Sequence, residues 1–384
     1  LRALIQERGI SFRALAAAAY VGRSYLHELA TGAKVEVSMP IAMRIDDALA
    51  AGGELVALIT ADPIARESRA LIELLDGGDR DEAVIAACAG AQRLAVAYLT
   101  VNPTDVLDET AQLRRSAVRA LARAGECRAE LLIAIGRLSG VLAYVALDLG
   151  DAAAARAHID VTWRCGQATG HDGLCGWARG TQALIARFCG QYSVALELCE
   201  DGMHYAGPSD RVRLLCGQAQ SHANMDDPAA ARRSLAAAAA AHDDDEDQAD
   251  AGLFGFTTAK LHYYGGSSLM WSPERADSAR AAAACVNAIE AWARTPEPLR
   301  PRSDIDLAHV YLATARVRLG EVVGAGMALA PILADPDRHV SWIQKRLIEL
   351  VAMLAVGPYR GDREAAELSD QIASATARRT ADTD

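Results

Sequence analysis

With 384 residues the chain is too long for one ordinary hydrophobic core, so two domains or a repeat array are expected. Alanine dominates a composition that is 51% hydrophobic and only 5% aromatic, and alternating strand patterns are nearly absent, so the chain reads as all-α. The net charge of −11 weighs at first against DNA, and without a leader-type start or an uncharged 18-residue apolar run a soluble, cytoplasmic protein with no membrane partner is expected.

Helix signals begin at once. Leu1, Leu4 and Ile5 share one face of a helix over 1–8, which Gly9 ends. Ser11 is placed to cap a second helix running to about residue 19, with Leu15 as its core anchor and alanines around it that let another helix approach. Tyr20, Val21 and Gly22 turn the chain into a third helix over 23–30, with Leu26 and Leu29 inward and Thr31-Gly32 at its end. Ser38 caps a fourth helix over 39–50, where Pro40 is tolerated in the first turn, and Gly52-Gly53 separates it from a fifth over 54–59. These five short helices make a domain of residues 1–60. Its six positive side chains balance six negative ones, so the whole −11 lies in residues 61–384 and phosphate affinity at the N-terminus is modest.

Residues 61–66 read as a linker, and 67–384 as a run of helix, short turn and helix. Turn-plus-helix starts recur as Gly150-Asp151-x-x-x-Ala155, Gly190-Gln191-x-x-x-Ala195, Asp226-Asp227-x-x-x-Ala231 and Gly320-Glu321-x-x-x-Ala325, the first three spaced by 40 and 36 residues. That is near the tetratricopeptide period, and about 13 to 16 helices in a right-handed solenoid are expected. The acidic run from His242 to Asp247 reads as a solvated loop rather than a metal site, and 292–302 (WARTPEPLRPR) as a proline-rich connection.

Ser11, Leu15, Ala16, Val21, Leu26 and Gly32 fall at the register of the Cro/phage-repressor (XRE-type) helix-turn-helix. The chain as a whole resembles a group of actinobacterial regulators that join such a domain to tetratricopeptide-like repeats. LRALIQERGISFRALA, YLHELATG and RIDDALAAGGEL look like the group's N-terminal domain; FGFTTAKLHYYGGSSLMW and DLAHVYLATARVRLGE look like its C-terminal half. The resemblance implies a five-helix helix-turn-helix domain followed by a TPR-like α-solenoid. It also implies a sequence-specific transcriptional regulator that binds double-stranded operator DNA as a homodimer held by the repeat domain. Three residues depart from the pattern. Tyr20 stands where the turn usually has glycine, at a cost of roughly 1 kcal/mol; Phe12 replaces a frequent glutamine; Gly22 replaces a Ser or Thr cap.

In that geometry the third helix lies in the major groove. Arg23 is then placed for guanine O6 and N7, Ser24 and His27 for base edges or phosphate, and Arg13 and Lys34 for backbone phosphates. Glu28 is placed to accept from a cytosine amino group, to repel phosphate or to pair with Arg13, and the last two are favoured. The repeat region offers a concave face for an effector: a peptide, a small molecule or a protein. Candidate side chains there are Arg179, Gln182, Arg187, Gln218, His222, His262, Tyr263, His309 and Arg316. The arginines favour an anion or an acidic peptide terminus, while the three asparagines of the chain are too few for a peptide-clamping ladder. That these are ordinary groove residues with no dedicated ligand stays open beside it. His158, Cys165, His171 and Cys175 match no zinc spacing, and no phosphate loop, nucleophile elbow or His-Glu-x-x-His occurs, so neither a metal, a cofactor nor an enzymatic activity is expected. The competing function is a repeat scaffold for protein contacts with a weak or vestigial DNA module.

Overall fold

The computed structural model describes residues 1–31, 37, 39–51, 80–243, 252–335 and 340–382. Among them the only regular secondary structure is helix, with eighteen α-helices. The chain divides into two compact units, Leu1–Asp79 and Arg80–Asp384. The expected fifth helix, the linker at 61–66, the Ser38 cap, Lys34 and the acidic run after Asp243 lie outside the described residues.

The first unit contains α1 (Arg2–Glu7), α2 (Phe12–Ala18), α3 (Arg23–Thr31) and α4 (Met39–Leu49). Ser11 caps α2 as expected, its hydroxyl accepting from the Ala14 amide at 3.2 Å. Tyr20 takes a left-handed φ of +52° and is 82% exposed. The amides of Tyr20 and Val21 fold back to the carbonyls of Ala17 and Ala16, which closes the end of α2 and redirects the chain into α3. Leu15 and Leu26 are fully buried against each other's surroundings, with Ile5, Ala16, Ala19, Ile45 and Leu49 completing the cluster. Each such leucine contributes about 1.5–3 kcal/mol by leaving water.

The second unit runs through α5 (Arg80–Ala97), α6 (Pro103–Ala120), α7 (Arg128–Asp148), α8 (Ala152–Thr169), α9 (Asp172–Phe188), α10 (Tyr192–Gly202) and α11 (Pro208–Asn224). It continues with α12 (Pro228–Asp243), α13 (Thr258–Leu269), α14 (Arg275–Arg294), α15 (Arg302–Leu319), α16 (Val322–Ala334), α17 (Ser341–Leu354) and α18 (Arg363–Asp382). Most helices pack on their sequence neighbours, as a chain of hairpins must. The four recurring turn-plus-helix starts share one construction. Gly150, Gly190, Asp226 and Gly320 all have positive φ (+87°, +74°, +58°, +82°). The next residue's amide returns five residues back to a helix carbonyl, Ala146, Ala186, His222 or Arg316. Ala155, Ala195, Ala231 and Ala325 are then fully buried, small enough for the preceding helix to lie close. A fifth copy at Gly170 (φ +64°) has His171 as the cap, accepting from the Leu174 amide at 3.1 Å, and Cys175 at the buried position.

Contacts remote in sequence then close the array on itself. Ser341 Oγ donates to the Leu147 carbonyl at 2.6 Å and Lys345 Nζ to the Phe188 carbonyl at 2.7 Å. The Trp342 ring meets Phe188 edge-on, with centroids 4.8 Å apart. The Arg302 amide donates to the Leu99 carbonyl at 2.8 Å. Phe254 packs on Trp177 at 4.6 Å, which seats 252–254 among α5, α7 and α9. The result is a partly enclosed cavity inside this unit. Among the described residues one segment, Gly125–Asp148, is long and apolar enough to cross a membrane by length and composition, and most of it is buried core.

Candidate functional site

Two places bring chemistry-bearing side chains together. The first is the outward face of α3. Leu26 points into the core, so the helix period turns Arg23, Ser24 and His27 to solvent, and Arg13 is exposed on α2. Phe12 stacks edge-on against His27 with centroids 5.9 Å apart, so it holds the imidazole over α2. No ion pair joins Glu28 to Arg13 among the described residues.

The second is a central cavity in unit two with about 90 Å³ of open space. Each inner helix sends a stripe of side chains at helical spacing into it: Tyr144, Leu147 and Asp148 from α7; Leu184 and Arg187 from α9; Arg213, Gln220 and Asn224 from α11. Lys260, Tyr263, Tyr264 and Ser267 come from α13, Ser303, Asp304, Leu307 and Tyr311 from α15, and Trp342 and Arg346 from α17. Tyr98, Tyr192, Phe256 and Trp271 complete the aromatic walls.

The walls are knit by their own polar tips. Tyr98 Oη donates to Asp148 Oδ2 at 2.5 Å, and the hydroxyls of Tyr263 and Tyr311 lie 3.4 Å apart. Arg213 donates to the Trp177 carbonyl at 2.7 Å, Thr181 Oγ1 at 2.8 Å and Tyr144 Oη at 2.9 Å. Arg346 pairs with Glu349 at 2.5 Å, its guanidinium 5.1 Å from the Trp271 ring centre. Burial raises Asp148 from its ordinary 3.8 to about 7, with the Tyr98 hydrogen bond opposing and the Asp304 charge adding to the rise. Burial also raises Asp304, against the pull of Lys260.

Of the side chains expected to meet a ligand, Arg187 and Tyr263 line this cavity. The others do not. Arg179 pairs with Asp201 at 2.5 Å and lies over the Trp163 ring at 3.7 Å, and Gln182 donates to Asp160 at 2.9 Å. Arg316 donates to the Gly324 carbonyl at 2.7 Å and His309 meets the Ala328 carbonyl at 3.0 Å; both bind one helix hairpin together. Gln218 and His222 share α11 with Arg213, Gln220 and Asn224 but are rotated away from the cavity. Sequence reasoning missed Arg213, Asp148, Asp304 and the tyrosines other than Tyr263. Their signal is compositional, because nine of the chain's nineteen aromatic side chains line this one cavity. No family model, curated protein or solved structure matches the chain. Among the four sulfur and imidazole groups of 158–175, His158 meets Arg114 at 3.2 Å, His171 is a helix cap, and Cys165 and Cys175 are buried.

The buried acid makes a pH-dependent prediction. The folded chain keeps the Asp148 proton up to about pH 7, whereas an unfolded chain loses it near 3.8. This group's contribution to stability is therefore complete below about pH 4, falls as pH rises to about 7, and is level above that. Asparagine retains an acceptor for Tyr98 and carries no charge. Asp148→Asn is expected to stabilise unit two by about 2–4 kcal/mol at pH 8 and by less at pH 5. Urea unfolding at the two pH values checks this; an equal gain at both contradicts a titration in that window.

Proposed function

We propose that the chain is a sequence-specific DNA-binding transcriptional regulator. In this reading α3 enters the major groove, and unit two holds two chains together and receives an effector in its cavity. In the same reading the first unit serves as a helix-turn-helix and the second as a TPR-like array. The observation that carries the reading is the two-sided character of α3. Leu26 anchors one side across the tight turn at Tyr20, while Arg23, Ser24 and His27 face solvent at its N-terminal end, where a recognition helix presents base-reading groups.

The test begins with genomic fragments selected by the purified protein. Arg23→Ala is expected to abolish the gel shift of a selected fragment at physiological salt and to leave the thermal midpoint unchanged, because the side chain is exposed. Equal affinity of wild type and variant refutes the assignment. A dimer would set its two α3 helices about 34–36 Å apart on a partly palindromic site; sedimentation showing monomer alone, with and without DNA, counts against that part. The zero net charge of residues 1–60 favours one alternative, a protein-contact scaffold with a weak DNA module. Loss of selective, salt-dependent DNA binding in wild type would leave that reading standing.

A further inference from the structure

The cavity of unit two holds two buried guanidiniums, and one of them, Arg187, has no ion pair among the described residues. Arg187 is 5% exposed and Arg213 is 9% exposed, and both line the cavity. Arg213 uses its hydrogen bonds on uncharged acceptors. Arg187 reaches the Gly217 carbonyl at 3.4 Å, and its buried Nε has no hydrogen-bond partner. The Asp210 charge acts on Arg213, but a guanidinium does not shed its proton in a protein, so burying Arg187 with no ion pair is costly.

The acids of the cavity wall do not supply Arg187 with a counter-charge. Asp148 is tied to Tyr98, and burial drives both Asp148 and Asp304 toward the neutral acid. The remaining cations are already engaged: Arg346 with Glu349, and Lys260 with the Gly255 carbonyl at 3.2 Å. Much of the rest of the wall is tyrosine and tryptophan, whose faces and edges suit a flat ring and whose polar tips suit its polar substituents. About 90 Å³ is the scale of one ring with a head group, and too little for an extended peptide.

We propose that this cavity binds a small planar aromatic monocarboxylate, its carboxylate on Arg187 beside Arg213 and its ring among the tyrosines. The inference deepens the effector half of the proposed function and rests on nothing about α3. A tetrahedral anion such as phosphate fits less well, because it leaves the aromatic faces of the wall uncovered. A cationic ligand would add a third charge of the same sign.

The experiment titrates the full-length protein with benzoate, benzamide, benzylamine and inorganic phosphate. Tryptophan fluorescence, which Trp271 and Trp342 report from the wall, and calorimetry provide the readouts. Benzoate is expected to bind once per chain and to raise the thermal midpoint, with benzamide weaker by roughly tenfold or more and benzylamine not bound. Arg187→Gln is expected to erase the preference for benzoate over benzamide. Equal binding of benzoate and benzamide overturns the proposal, as does tighter binding of benzylamine, displacement of benzoate by equimolar phosphate, or no saturable benzoate signal at millimolar concentration. The comparison of benzoate with benzamide uses wild-type protein, so it decides the matter even where Arg187→Gln does not fold. No readout involves DNA, so this result and the gel shift with Arg23→Ala fail or succeed separately.

Discussion

Leu26→Ala is expected to unfold the first unit at temperatures where the second remains folded. Leu26 is fully buried in a cluster built from Ile5, Leu15, Ala16, Ala19, Ile45, Leu49 and Ala51. Truncating such a leucine removes its transfer free energy and leaves a cavity, together about 3–5 kcal/mol. A unit of 79 residues has a total stability on the order of 4–12 kcal/mol, so the loss is a large share of it. The measurement is differential scanning calorimetry of the whole chain. The expected trace loses or shifts the smaller transition by more than ten degrees on the order-of-magnitude scaling for so small a unit, and keeps the larger one in place. A single transition moving as one would show that the units do not melt independently.

The same variant separates two ways of losing DNA binding. Leu26→Ala removes binding by melting the unit that carries α3, and the helical signal falls with it. Arg23→Ala removes binding by deleting an exposed side chain. If both variants bind DNA as wild type does, α3 is not the contact, and the polar face has some other partner.

How much of this was legible in the sequence depends on how local the cause is. The turns were legible because they are built from adjacent residues. Gly150, Gly190 and Gly320 occupy left-handed positions that glycine adopts without steric cost, and an alanine five residues on is buried where a larger side chain would push helices apart. The copy at Gly170 is harder to see in the sequence because His171 and Cys175 stand where the others have an acid or amide and an alanine. Tyr20 is a bulky residue at a position needing positive φ, and that is the conformation it takes.

The cavity was less legible because its composition depends on helix phase and on contacts far apart in the chain. On α9 the spacing does not say whether Arg179 or Arg187 faces inward; the ion pair of Arg179 with Asp201 holds it on the hairpin, and Arg187 is left for the interior. On α11 the polar residues form two stripes, and Gln218 with His222 belongs to the outer one. The enclosure itself comes from α17 meeting α7 and α9, a contact across 194 residues at Ser341 and Leu147. No local pattern encodes such a meeting, because it is decided by the accumulated rotation of every hairpin between them.

Gly252→Ala is expected to strike that enclosure directly. Gly252 has a φ of +76°, where a side chain costs about 1 kcal/mol. A Cβ there would lie 2.7 Å from the Ala95 carbonyl oxygen and 2.9 Å from the Val96 nitrogen. Those are backbone atoms of α5, which cannot swing aside as a side-chain tip can, so relief requires the segment 252–254 to withdraw. Withdrawal pulls Leu253 from the core and Phe254 from Trp177, and it moves Phe256, which lines the cavity. Overpacking and lost burial bring the total to about 3 kcal/mol. Hydrogen exchange is the discriminating measurement. Faster exchange is expected in α5 and around 252–256, with α14 to α16 unchanged, since their hairpins do not depend on this contact. Uniformly faster exchange throughout unit two would mean instead that the array unfolds as one body and that its closure is inseparable from its hairpins.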